Sequence, residues 1–255
     1  MAWREGDLDL VLIPLGLFAL IAYHMWLWHA TRRCPLGSTI GVNAAARRIW
    51  VFGMMTDNDK KAVLVVQSIR NVLMGSTLVA TTSVLFSTVV AAVLSSTYAI
   101  KQPINDATFG AHGEYVTALK FVALLTAFLL SFLCHTLAIC SLNQATFLVN
   151  ALSQLFVLPS DGSAFDSQHP PVTKDYIVKV LDRGFMLNFM GNRFFYGGIP
   201  LVLWIFGPVL TCLSSMLIIP ILYNMDMVYI EKPKGSKVNG NVEMLTRDSD
   251  DGVQV

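Results

Sequence analysis

Four side chains in the stretch SFLCHTLAICSLNQATFLVNALSQ, residues 131–154, could do chemistry together: His135, Asn143, Asn150 and Gln154. On an α-helix each residue advances about 100°. Measured from His135, the other three therefore fall between roughly 60° and 100° around the axis, with Thr136, Thr146 and Ser153 on the same side. Gln144 alone lies off that face. A polar stripe inside an uncharged run has two physical uses. It can line a wet path for a small ion or solute, with His135 as its only ionisable group and a source of pH sensitivity. It can equally hydrogen-bond helices to one another, at about 0.6 kcal/mol per contact. A stripe facing only lipid is excluded, because each unpaired polar group there costs several kcal/mol.

Other chemistry is thinly represented. There is no H-E-x-x-H, no G-x-S-x-G, no P-loop and no pair of membrane carboxylates, and His24 and His29 stand on different sides of a helix. The expectation is a protein that is not an enzyme, with no metal site and no cofactor. Three of the four cysteines, Cys134, Cys140 and Cys212, lie in apolar runs, and no disulfide or zinc spacing emerges.

The elements that must carry the stripe follow from composition. Hydrophobic residues make up 54% of the 255, charged residues only 14%, and the net charge is +1. A soluble chain carries about 25% charged residues, and no basic surplus points to a nucleic acid. The charges are confined between long uncharged runs, as bilayer-spanning helices require. Four spans are predicted, at about 8–29, 71–100, 121–158 and 194–225, in an all-α polytopic domain over 1–230. A flexible polar tail is expected over 231–255. The last three runs exceed the ~20 residues that a bilayer core takes, so they tilt, protrude or break.

Lys and Arg cluster in the first loop (Arg32, Arg33, Arg47, Arg48, Lys60, Lys61, Arg70) and the third (Lys174, Lys179, Arg183, Arg193). The positive-inside rule places these loops in the cytoplasm and both termini opposite, although Lys232, Lys234, Lys237 and Arg247 of the tail pull the other way. The choice between plasma membrane and endomembrane stays open. Amphipathic helices are expected in both loops. One carries Arg47 and Arg48 with Ile49, Trp50 and Phe52 available to lipid. The other is capped by Thr173 and turns Ile177, Val180, Leu181 and Gly184 to one face. Thr56 or Asp57 would cap the second span's cytoplasmic extension.

Within the spans, Ser76, Ala80, Ser83 and Ser87 recur at i, i+4, i+7 and i+11, a small-residue stripe for helix packing. Gln67, Arg70 and Asn71 stand one turn apart, and with Arg193 they suit either a cytoplasmic pore mouth or contact with phosphate headgroups. Gly197 and Gly198 before Pro200 form a candidate hinge in the fourth span.

The motifs YHMWL, STIGVNAAARRIWV, QSIRNVLM, RGFMLNFMGNRFFY and PLVLWIFGP occur in order between residues 23 and 208. In these the chain resembles the multi-pass membrane proteins of domain-of-unknown-function family five-nine-nine, in its plant form. The resemblance implies the membrane architecture and a plant source, but no reaction, substrate or site.

Together these readings predict an oligomeric channel or transporter subunit for a small ion or solute. The alternative is a non-catalytic scaffold or accessory protein. The expected partners are the lipid bilayer, anionic headgroups at the basic loops and a possible second copy of the chain, with no nucleic acid.

Overall fold

The computed structural model describes residues 5–54, 59–100, 114–157 and 173–228. They fold into six α-helices, α1 Glu5–Arg33, α2 Thr39–Met54, α3 Asp59–Ile100, α4 Glu114–Val157, α5 Lys174–Trp204 and α6 Pro208–Asp226. A 3-10 turn at Pro35–Gly37 joins α1 to α2. Among the described residues there is no strand, only an isolated bridge between Ser38 and Met227. The caps expected at Thr56 or Asp57 and the tail over 231–255 lie outside the described residues. Thr173 does occupy the N-cap of α5 with extended backbone, but its side chain makes no capping bond.

Four helices, α1, α3, α4 and α6, are long and apolar enough to cross a membrane. The fourth differs from the predicted span at 194–225. That run divides between two antiparallel helices, because α5 continues through Pro200 to Trp204 and α6 starts afresh at Pro208. The turn between them needs Gly207, whose φ of 154° is closed to side-chain-bearing residues. Pro208 follows at the first helical position, where a missing N–H leaves nothing unsatisfied. The reversal thus falls beyond the glycines proposed as a hinge. At 197–200 the helix is unbroken, and Gly198 is buried against the Phe128 ring.

This reversal moves the end of the chain. α6 runs parallel to α1, with Gly16 beside Ser215 and Tyr23 beside Asp226. Its last residues meet the first loop: the Val228 amide donates to the Gly37 carbonyl at 3.2 Å, and the Thr39 hydroxyl donates to the Met225 carbonyl at 2.8 Å. The described chain therefore finishes at the first-loop end, not at the end where α1 begins. At 19 residues, α6 is about 28 Å long at 1.5 Å per residue, close to a bilayer core of ~30 Å. α3 and α4, with 42 and 44 residues, are about twice that and project beyond it.

The projecting parts build a second core. Val51 of α2, Val65 and Ile69 of α3, Leu142 and Val149 of α4, and Ile177 and Leu181 of α5 are buried together. Trp50 and Phe52 pack partly against this cluster, so of the three α2 residues expected at lipid only Ile49 is fully exposed. α2 is held there by Arg47, 2.8 Å from Asp182, and by the more exposed Arg48, 3.4 Å from Asp175.

α4 and α5 form the largest interface, and glycine sets its spacing. A methyl group added at Gly184 would lie 2.9 Å from Leu142, and one at Gly198 3.0 Å from Phe128. At Gly191 it would collide with the His135 ring. Both series step by seven residues in opposite directions. This is an antiparallel pair with the 3.5-residue period of a left-handed supercoil.

Gly191→Ala is expected to lower stability by about 1–3 kcal/mol through overpacking. Gly197→Ala, where an added Cβ meets nothing within 4 Å, should be neutral or slightly stabilising. Thermal unfolding of the two variants in the same detergent compares them directly.

Candidate functional site

Two constellations of buried polar side chains lie on either side of α5. The first is a seam between α3, α4 and α5. The Ser83 hydroxyl donates to Ser131 Oγ at 3.1 Å, and Ser131 donates to the Gly191 carbonyl at 3.0 Å. Only the absence of a side chain at Gly191 opens that carbonyl to a partner across the interface. His135 has no exposed surface. Its Nδ1–H donates to the Ser131 carbonyl at 2.8 Å, and Nε2 stands 3.2 Å from the Asn192 side-chain oxygen. A cationic ring donates to that oxygen, whereas a neutral ring accepts from the amide NH2 after a half-turn of the Asn192 amide. Further along, Ser76 donates to the Asn188 oxygen at 2.7 Å.

The small-residue stripe on α3 faces this seam, and Ser76, Ala80, Ser83 and Ser87 are all buried. The stripe on α4 does not stay together. Asn143 and Asn150 are exposed, and the Gln154 side chain lies outside the described residues. Asn143 and Asn150 each follow a residue of the buried face, Leu142 and Val149, and so stand roughly 60–80° round the axis from His135, clear of the interface. The Leu142–Gly184 contact puts Asn143 in the layer of Arg47 and Asp182, in the projecting part of the bundle. His135, Asn143 and Asn150 therefore do not share one path. Gln67, Arg70 and Asn71 are exposed on α3, and Arg193 turns away from them toward α6.

The second constellation joins α1, α5 and α6. Arg193 Nη2 is paired with Asp226 Oδ1, and the Tyr23 hydroxyl donates to Asp226 Oδ2 at 2.5 Å. The Arg193 side chain is 12% exposed and that of Asp226 3%. Asp226 ends α6, where the helix dipole is negative and disfavours a carboxylate. The guanidinium answers both that field and the loss of water. Arg193 also lies over the Phe189 ring, 4.3 Å from its centroid.

Asp226, Asn188 and Asn192, with Asn43 and Arg47 of α2, line a polar cavity of about 180 Å3 at the first-loop end. Asn192 thus links His135 to this vestibule. At its other end the seam is closed by rings: Phe86 stacks on Phe128 at 5.0 Å, and Phe195 meets Phe128 edge-on at 5.9 Å. Among the described residues, no three His, Cys, Asp or Glu side chains are grouped to hold a metal ion.

Tyr23, Ser131, Asn188, Asn192 and Asp226 were not singled out by the sequence reading. One usable signal was the seven-residue spacing of Gly184, Gly191 and Gly198, with two asparagines on the helix between them. Asp226 had no such signal, since it becomes Arg193's neighbour only through the reversal at Gly207.

Helices of bilayer length with buried polar seams define a multi-pass α-helical membrane protein. Within that class, the family model described as "Protein of unknown function, DUF599" matches residues 11–230, and the chain belongs to that family. No curated protein and no solved structure matches the chain.

Removing one member of the buried pair should be worse than removing both. Arg193→Met leaves Asp226 charged and buried, at an expected cost of about 3–5 kcal/mol, and Arg193→Met with Asp226→Leu should recover much of it. A double-mutant cycle on unfolding midpoints measures this. A double variant whose loss equals the sum of the Arg193→Met and Asp226→Leu losses would show that the pair carries no coupling.

Proposed function

We propose that this protein is a non-catalytic membrane scaffold or accessory protein whose polar residues hold helices together and whose charged end engages lipid or a partner. One observation carries the reading. Each of Ser83, Ser131 and His135 has a hydrogen-bond partner within the protein. A permeation path would instead leave such groups turned toward a permeant. The aromatic layer at Phe86, Phe128 and Phe195 favours the same reading.

The placement of charge supports an orientation. With α6 ending beside the first loop, the basic residues of loops one and three and the last described residue, Val228, lie at one end of the bundle. That end is the cytoplasmic one by the positive-inside rule. Exposed Arg32, Arg33 and Arg183 are the groups that would meet anionic headgroups.

A second reading, a transporter for a small ion or solute, draws on the polar vestibule at the first-loop end, with His135 behind Asn192. In that case the three phenylalanine rings would have to part during the cycle.

Cysteine accessibility at Asn143 or Asn150 does not separate the two readings, since both residues are exposed. Ser83→Cys in a variant lacking the four native cysteines does. A scaffold protects that thiol from a small charged reagent applied from either side, and the purified protein passes no current across a planar bilayer. Labelling at Ser83→Cys, or an ion-selective current whose pH response disappears in His135→Ala, would overturn the scaffold reading.

A further inference from the structure

The atoms of the bundle without partners lie away from the seam. α1 and α5 face each other across a groove of about 600 Å3, within the ~300–1,000 Å3 of small-molecule sites. Its walls include Leu20 and Trp28 of α1 and Phe189 and Phe194 of α5. Among the described residues, four buried side-chain N or O atoms lack a hydrogen-bond partner, and three of them belong to residues lining this groove. They are His24 Nε2, Thr31 Oγ1 and Arg193 Nη1. An enclosed polar atom left unpaired costs about 1–3 kcal/mol. Three in one apolar groove point to an occupant that brings hydrogen bonds.

The donor and acceptor pattern narrows the occupant. His24 Nδ1–H donates to the Leu20 carbonyl at 2.7 Å, which leaves Nε2 of a neutral ring as an acceptor. Arg193 Nη1 can only donate. Its charge is already met by Asp226, so the site is not an uncompensated cation. His24 and Arg193 stand at the same depth, because Tyr23, next to His24, and Arg193 both reach Asp226. A hydroxyl donates one hydrogen bond and accepts another, which a carboxylate cannot do. Thr31 is two turns nearer the first-loop end and can serve either role.

We propose that the α1–α5 groove binds a bilayer lipid alcohol, a molecule with a slender apolar body and a neutral hydroxyl held between His24 Nε2 and Arg193 Nη1. The apolar body lies along the aromatic and leucine walls. The inference rests on the groove alone and holds whether or not the chain transports anything.

Two variants test it without touching the Arg193–Asp226 pair. Gly197 lines the groove, and an added Cβ there meets nothing within 4 Å, so Gly197→Phe fills the space while leaving the packing intact. His24→Phe removes the acceptor and keeps the bulk. Purified protein in lipid nanodiscs is irradiated with diazirine-bearing hexadecanol or, separately, diazirine-bearing palmitate, and crosslinked peptides are identified by mass spectrometry. The alcohol is expected to label the segments 17–32 and 186–201 and to outcompete palmitate there. Its half-saturating concentration should rise about tenfold in His24→Phe, the equivalent of one hydrogen bond, and labelling should vanish in Gly197→Phe. Labelling spread over the outer face of α3, or unchanged in Gly197→Phe, would overturn the groove as a site. Preference for palmitate would overturn the hydroxyl assignment.

Discussion

The arrangement of this bundle depends on one buried charge. Asp226 ends α6 at the negative pole of the helix dipole and is almost completely enclosed. A carboxylate is stable there only if a cation and a donor come to it. Arg193 and Tyr23 do so from two other helices. Their meeting fixes the rotation of α1, the height of α5 and the direction of α6 at once. It also forces the reversal at Gly207, since Arg193 and Asp226 can adjoin only if the chain between them descends and returns. The short turn through Gly207 and Pro208 is the local form of that requirement.

The seam on the opposite face of α5 works by a different economy. Three glycines at sevens bring α5 close enough to α4 for side chains of one helix to reach backbone carbonyls of the other. Hydrogen bonds between membrane helices are individually weak, about 0.6 kcal/mol. Glycine makes them geometrically possible, and the packing of Leu142, His135 and Phe128 over the bare backbone does the rest. α5 is therefore charged on one side of its upper half, glycine-lined on another, and apolar only near its end. That mixture keeps it below the hydropathy of a spanning segment although its last turns lie at membrane depth.

This explains what could be seen in the sequence. The apolar runs located α1, α3 and α4, and the stripe from Ser76 to Ser87 marked a packed face, because a periodic face is a property of one helix. The α4 stripe shows the limit of the same method. Periodicity gives an angle around the axis, while membrane depth is a height along it. Asn143 stands roughly 80° round the axis from His135 and also at another height, and the buried face passes through Leu142 instead. The division of 194–225 into two helices was hidden because Gly207–Pro208 in an apolar run looks like one more kink, of the kind Pro200 and Pro220 supply. Which acid would meet Arg193 could not be read at all, since that depends on the turn.

Tyr23 and Asp226 are 203 residues apart in the chain. The first of the described helices thus has its partner in the last of them. Until α6 emerges, α1 must wait in the bilayer with its Tyr23 hydroxyl unanswered, while α3, α4 and α5 can already assemble among themselves. The clasp therefore closes only once α6 has been made, and a chain stopped short of Asp226 leaves α1 unclaimed. Such an orphan helix is what membrane quality control is equipped to notice.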